Sequence, residues 1–386
     1  MKILMDFRKY DGVIGGVEQG VIQITKYITE NNHTVVLLPK SSRLEEIKEI
    51  FHDTPNLKLI PLPVPTHVMS LRNVYIDSKT IQDLAVQENV DLIHFPYNWS
   101  FPFRKRAPCL ITIHDVIPLT FREAMSLWQN RLLYKAGMRT ACRLNDKIAT
   151  VSEFSKRDIA AKIGISPEKI CVIPNGLRKL HPPRESVKSD LLKRFGLENG
   201  FILYAGGVHE RKNVVGLISA FRRLIDISNF TGKLLITGSV SGSAYKEKMK
   251  RLCDRAVLET NLLHRVVFTG FVTDEELDNL MAEAQFFIYP SFYEGFGIPV
   301  LEAMRVGTPV ITSKVTAMPE VGGEAALLVD PHDMEDIAQA MARLLSDKTF
   351  GNELAAKGKA RAEAYTWANT GEQYLDLYRS MVHPSK

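Results

Sequence analysis

The sequence lacks any run of about 18 apolar residues, so no helix able to span a bilayer is expected from it. Its first residues, Met1-Lys2-Ile3-Leu4-Met5-Asp6-Phe7, meet Asp6 too early to form a secretory signal and read instead as a buried first strand. Cysteine is scarce. Cys109, Cys142, Cys171 and Cys253 form no Cys-x-x-Cys pair, which argues against a zinc knuckle and a dithiol redox motif. Such cysteines behave as small hydrophobes, and the usage fits a reducing cytoplasm. Neither G-x-G-x-x-G nor G-x-x-x-x-G-K-[ST] occurs, so neither the dinucleotide fingerprint nor a P-loop is indicated.

What is present is ordinary in composition and uneven in charge. The 386 residues are 45% hydrophobic and 24% charged, enough for two cores. Residues 1–182 carry 25 Lys and Arg against 18 Asp and Glu, while the remainder carries 24 against 26. A basic first half suits an anionic partner, either a phosphate-bearing acceptor or a membrane surface; a plain solvated face explains it as well. Arg104-Lys105-Arg106 lies beside Trp99, Phe101 and Phe103, but no nucleic-acid-binding motif accompanies it, so nucleic acid is not expected as a partner.

Short apolar runs alternate with amphipathic stretches, the pattern of parallel α/β domains. Strands are expected at 2–7, 34–38, 57–61, 91–95, 109–113, 147–151 and 170–174, with helices near 17–31, 77–89, 121–144 and 153–163. A second series places strands at 201–205, 233–237, 266–269, 286–289, 309–313 and 326–329, with helices between and after them. The fold expected is α/β, with two Rossmann-like domains facing across a cleft. The boundaries expected are a first domain at 1–182, a linker at 183–198, a second domain at 199–365 and a terminal helix at 366–386 returning to the first domain. That helix carries Trp367, Tyr374, Leu375, Leu377, Tyr378 and Met381 mostly on one stripe.

In such sheets ligands bind at the carboxyl ends of strands, so loops directly after strands are where chemistry is sought. Four are informative. Glu294-Gly295-Phe296-Gly297-Ile298-Pro299-Val300-Leu301-Glu302 runs from a strand end into a helix. Backbone N–H groups of Phe296, Gly297 and Ile298 at that helix start favour an anion or a polar sugar. Glu302, expected in the first turn, can accept two hydroxyls of a ribose, and Glu294 can face the other end of the same ligand. Gly206-Gly207-Val208-His209-Glu210-Arg211-Lys212 follows strand 201–205. Gly207 lets backbone approach a ligand, Arg211 can fork onto phosphate oxygens, and Lys212 adds a point charge. Gly15 and Gly16 lie between the first strand and its helix and can touch a phosphate or an acceptor. His114 and Asp115 follow strand 109–113, where His114 can bond a transferred sugar or relay a proton and Asp115 can orient it or meet the acceptor. Gly238, after strand 233–237, suits a close backbone approach or an ordinary turn.

Together these residues resemble the family 4 retaining glycosyltransferases of GT-B fold. The resemblance covers nearly the whole chain and is carried by the Glu294…Glu302 spacing, Gly206-Gly207…Arg211-Lys212-Asn213, Pro174-Asn175-Gly176 and Met318–Ala326. It implies that Arg211 and Lys212 bind a donor diphosphate, that Glu302 binds the ribose, and that Glu294 meets the donor sugar with Phe296, Gly297 and Ile298. His114 would line that sugar, Gly16 would approach the phosphates or the acceptor, and Phe271 and Val272 would meet the nucleobase through the backbone. No cofactor or metal is implied, and no Asp-x-Asp is present. The Ile113–Pro118 form is similar to bacterial GDP-mannose-dependent mannosyltransferases, with UDP-sugar donors left open. A glycan or lipid-linked acceptor in cell-envelope polysaccharide synthesis, a cytoplasmic location and peripheral contact with an anionic membrane complete the expectation. The rivals are an epimerase or hydrolase of the same fold and a non-catalytic nucleotide-sugar sensor.

Overall fold

Period-two burial along the first strand builds the first domain. In β1 (Lys2–Phe7), Ile3, Met5 and Phe7 enter one core while Leu4 enters another, because successive side chains leave opposite faces of a sheet. The computed structural model describes residues 1–63, 71–121 and 128–383. Six further strands follow: β2 (Thr34–Pro39), β3 (Leu57–Leu59), β4 (Leu92–Phe95), β5 (Cys109–Thr112), β6 (Lys147–Thr150) and β7 (Ile170–Val172). All pair in parallel in the order β3-β2-β1-β4-β5-β6-β7. Met5 is flanked by Leu37 and His94 in this register.

The second sheet repeats the plan with β8 (Phe201–Ala205), β9 (Lys233–Thr237), β10 (Val266–Gly270), β11 (Phe287–Tyr289), β12 (Val310–Ser313) and β13 (Leu327–Val329). Its order is β10-β9-β8-β11-β12-β13, again parallel. In both sheets the winding reverses once, between β1 and β4 in the first and between β8 and β11 in the second. Loops diverge at such a reversal and leave a crevice at the strands' carboxyl ends. Each sheet with its covering helices is a Rossmann-like α/β layer structure.

The chain divides into one unit of Met1–Gly176 with Tyr365–Lys386 and another of Leu177–Ala364. The stretch 183–198, expected as a linker, instead contains the helix Glu185–Phe195, which Gly196 ends in the left-handed conformation. Of that helix only Leu191 is buried, so little apolar periodicity announced it. The helix Trp367–Val382 packs Tyr374, Leu375, Leu377 and Tyr378 into the core of the first unit. Tyr378 Oη lies 2.8 Å from His94 Nδ1, His94 Nε2 lies 2.8 Å from Thr112 Oγ1, and Tyr374 Oη lies 3.2 Å from the same Thr112 oxygen. These buried groups satisfy one another, as interior polar groups must. The expected helix 121–144 is observed from Trp128 to Leu144, and 122–127 lie outside the described residues. Ser152 caps the helix Glu153–Ile159 by accepting from Ser155 N at 2.9 Å.

Candidate functional site

At the reversal of the second sheet, two loops bring charges of opposite sign together. The loop after β11 carries Glu294, which is 9% exposed. Its Oε1 accepts from Tyr289 Oη at 2.8 Å and from Ser291 Oγ at 3.4 Å, and it is ion-paired with Arg211 from the loop after β8. Arg211 Nη1 also donates to the Tyr293 carbonyl at 3.2 Å, and Phe292 N donates to the Arg211 carbonyl at 2.7 Å. Glu294 N donates to Thr316 Oγ1 at 3.3 Å. The carboxylate and the guanidinium are therefore held rather than waving in solvent, which lowers the reorganisation either needs on meeting a ligand. Tyr289 stacks on Tyr204 with ring centroids 5.6 Å apart, and burial together with Glu294 drives its hydroxyl pKa well above 10. It stays a neutral donor.

Lys212 folds back so that Nζ donates to the Gly206 carbonyl at 2.6 Å. Burial lowers the neighbouring His209 to about 4, with Lys212 and Arg211 adding to the effect, so His209 is neutral at pH 7 and adds no further positive charge. The N–H groups of Gly206 and Gly207 both donate to the Thr237 carbonyl, at 3.1 and 3.0 Å. The contribution of Gly207 is thus a tight crossing of two loops and not a free N–H. Gly238, at φ +113, completes that crossing, since a Cβ there would strike the backbone N of Gly207. Gly238 N donates to the Gly270 carbonyl at 2.9 Å, joining the loops after β9 and β10. Beyond them Phe271 is 80% exposed while Val272 is buried.

The helix Ile298–Val306 starts after Gly297, whose φ of +122 is a conformation that side chains rarely adopt. Phe296 is buried and Ile298 half-buried at that start. Glu302 was expected in the first turn. It is the fifth helical residue and lies in the second turn, because the helix begins at Ile298. Its Oε1 sits 2.8 Å from Arg178 Nε, and burial raises its pKa despite that cation. Arg178 also grips Asp278 with both Nη atoms, at 2.9 and 2.6 Å. Burial alone would lower the Arg178 pKa, but these anions carry it above its usual value. Arg178 was not legible beforehand, since nothing near Pro174-Asn175-Gly176 signals a partner so distant in sequence. Thr316 was missed for the same reason; Tyr289, only five residues before Glu294, read as the last residue of its strand with no sign that its hydroxyl turns to that carboxylate.

In the first unit, Gly15 caps the helix Gly16–Glu30 and its N–H donates to Glu18 Oε2 at 3.1 Å. The residues from Asp11 to Gly16 are exposed. His114 follows β5; burial lowers it to about 4, opposed by a bond to the Pro96 backbone carbonyl, and its Nε2 has no partner among the described residues. It is a neutral imidazole. The Asp115 carboxylate accepts from Ile117 N at 3.0 Å, so it shapes the start of the short helix Ile117–Thr120.

Comparison with known proteins identifies the family and the fold. Residues 14–178 match the family described as Glycosyltransferase Family 4, and residues 193–363 match Glycosyl transferases group 1. The O-antigen chain mannosyltransferase B of Escherichia coli is 31% identical over 301 residues, 77% of each chain. The serotype-specific mannosyltransferase WbdA of Escherichia coli is 25% identical over all of this chain, which spans 49% of WbdA. Among solved structures, HepE of Anabaena in complex with UDP and glucose superposes with a TM-score of 0.76 at 21% identity, over 98% of this chain and 100% of that one. The chain therefore belongs to the family 4 glycosyltransferases and has their GT-B fold.

Proposed function

We propose that the chain moves a mannosyl residue from GDP-mannose to a glycan or lipid-linked acceptor in cell-envelope polysaccharide synthesis, with retention at the anomeric carbon. The observation that carries the reading is the Arg211–Glu294 pair beside Lys212 at the sheet reversal. The mannosyltransferase names of the relatives support the sugar.

In this reading Arg211, Lys212 and the helix start at Gly297 stabilise the charge that grows on the departing diphosphate. Glu294 holds the donor sugar hydroxyls while the anomeric centre gains oxocarbenium character, with Phe296, Gly297 and Ile298 beside it. Glu302 holds the ribose, and Phe271 and Val272 border the base. Gly15, Gly16, Gly207 and Gly238 keep backbone close to the donor, His114 lines the sugar, and Asp115 borders the acceptor. The C–O bond to phosphate breaks, the acceptor oxygen attacks the same face, and its proton passes to the leaving phosphate oxygen. No metal enters this scheme. Four free cysteines fit a cytoplasmic setting, and the basic first half suits an anionic membrane surface. No helix of the described residues is long and apolar enough to cross that membrane.

A thermal-shift panel of GDP-, UDP- and ADP-sugars tests the donor, because a bound ligand raises apparent stability by mass action. GDP-mannose is expected to give the largest shift, and a larger shift with a UDP-sugar overturns the donor assignment. Anomeric NMR of the product tests retention. Trapping a sugar on a protein carboxylate would contradict the same-face route, and donor breakdown at equal rate without acceptor would mark a hydrolase.

A further inference from the structure

The first sheet has the same reversal as the second, between β1 and β4, and a polar cluster sits there that the scheme above does not use. Arg8 and Lys9 directly follow β1, and Tyr97 and Trp99 follow β4. Arg8 is 7% exposed and held on two sides. Its Nε and Nη2 donate to Asp6 Oδ1 and Oδ2, both at 2.8 Å, and Nη2 also donates to Asp77 Oδ1 at 2.5 Å. Asp77 Oδ2 in turn accepts from Phe101 N at 2.9 Å. The triad thereby ties the loop after β1 to the loop after β4.

Between those tied loops lies Lys9. Its Nζ makes one long contact, 3.4 Å to the Trp99 carbonyl, and stands 4.9 Å from the Tyr97 ring centre. Tyr97 is 7% exposed, and among the described residues neither its hydroxyl nor Arg8 Nη1 has a partner. Burial pulls Lys9 to about 8 against the pull of Asp6 and Asp77, so the amine is still mainly protonated at pH 7.

A buried ion triad is weak support for stability, since desolvation offsets most of its attraction. Its clear effect here is geometric: it sets two loops around a lysine and a tyrosine with donors to offer. The charges decide the ligand class. Arg8 and Lys9 are balanced by Asp6 and Asp77, so the cluster has directional donors without a net field for an anion. That combination suits neutral hydroxyl groups.

We propose that Lys9 and Tyr97 hold hydroxyl groups of a neutral saccharide acceptor at this reversal, with Asp6, Arg8 and Asp77 as positioning residues. The inference rests on the reading of the chain as a transferase to a glycan.

The test uses the full chain and an α-linked mannotriose as probe. Saccharide binding is followed by saturation-transfer NMR and GDP binding by thermal shift. Lys9→Met is expected to weaken mannotriose binding about tenfold or more, the usual loss for a charge-assisted hydrogen bond, and Tyr97→Phe about threefold or more, the usual loss for a neutral one, while the GDP shift is retained. The retained shift also shows that the variants fold. Arg8→Met is expected to weaken the saccharide similarly, with partial recovery in Arg8→Lys, which a merely structural role would not produce. In turnover with GDP-mannose, the acceptor KM should rise in Lys9→Met with the donor KM unchanged. Wild-type mannotriose affinity in both Lys9→Met and Tyr97→Phe overturns the proposal, as does displacement of mannotriose by inorganic phosphate at millimolar concentration. If GDP gives no shift in the wild-type chain but the lysine variant still loses the saccharide, the donor reading fails and this one stands.

Discussion

Arg178 Nε stands 2.8 Å from Glu302 Oε1 while its two Nη atoms hold Asp278, so one guanidinium neutralises two buried carboxylates on different helices. Removing one partner of a buried ion network strands the others, at a cost of about 3–5 kcal/mol. Arg178→Met is therefore expected to lower unfolding free energy by roughly that amount, read by urea denaturation. It should also weaken GDP, because an unpaired Glu302 takes up a proton more readily. An unchanged denaturation midpoint would show that Asp278 and Glu302 do not depend on Arg178.

Lys212→Ala separates catalysis from binding. If the ammonium meets the diphosphate as it departs, its loss should reduce transfer at least as much as it reduces donor affinity. A fall of about 100-fold in kcat is expected, the scale of losing one donor to a developing anion. Turnover at the wild-type rate would sink the assignment of Lys212, and with it the part given to its neighbour Arg211.

Gly238→Ala tests the loop crossing under the site. At φ +113 a side chain is strained, and the new Cβ would meet the Gly207 backbone, which cannot swing aside like a flexible side chain. A destabilisation of about 1–3 kcal/mol is expected. Donor affinity should fall with it, since Arg211 and Lys212 sit on the same loop as Gly207. Gly242→Ala is the control: its φ is also positive, but nothing lies within 4 Å of the added carbon.

Acid should loosen the first unit before its carboxylates titrate. Burial lowers His94 to about 3 and His114 to about 4, from an ordinary value of 6.5. A histidine kept neutral in the fold supplies stability that is complete above the unfolded pKa and is lost as pH falls. The window thus runs from about 6.5 down to about 4 for His114 and to about 3 for His94, with a loss on the order of 2 kcal/mol or more per histidine. Thermal unfolding across that range should show Tm falling with pH, and His114→Gln should flatten the slope. A flat wild-type profile between pH 6.5 and 4 would contradict the buried neutral state of both rings.

Much of this protein was readable from its residues in order. Strands buried on both faces are near-continuous apolar runs, so β1, β5, β8 and β11 show themselves without neighbours, and the Glu294–Glu302 and Arg211-Lys212 loops follow from where β11 and β8 end. The helix Glu185–Phe195 was misjudged because it buries only Leu191 and so has little apolar face to read. The turn of Glu302 was misjudged because a helix start depends on the conformation of Gly297, not on the proline after it.

The sequence by itself determined the architecture and the chemical types at the strand ends, because hydrophobic period and local turn chemistry act over a few residues. Only the tertiary structure decided the pairings. Arg178 with Glu302, Arg8 with Asp77 and His94 with Tyr378 join groups far apart along the chain. Which buried charge finds which partner is set by how sheets and helices pack, and local sequence has no record of it.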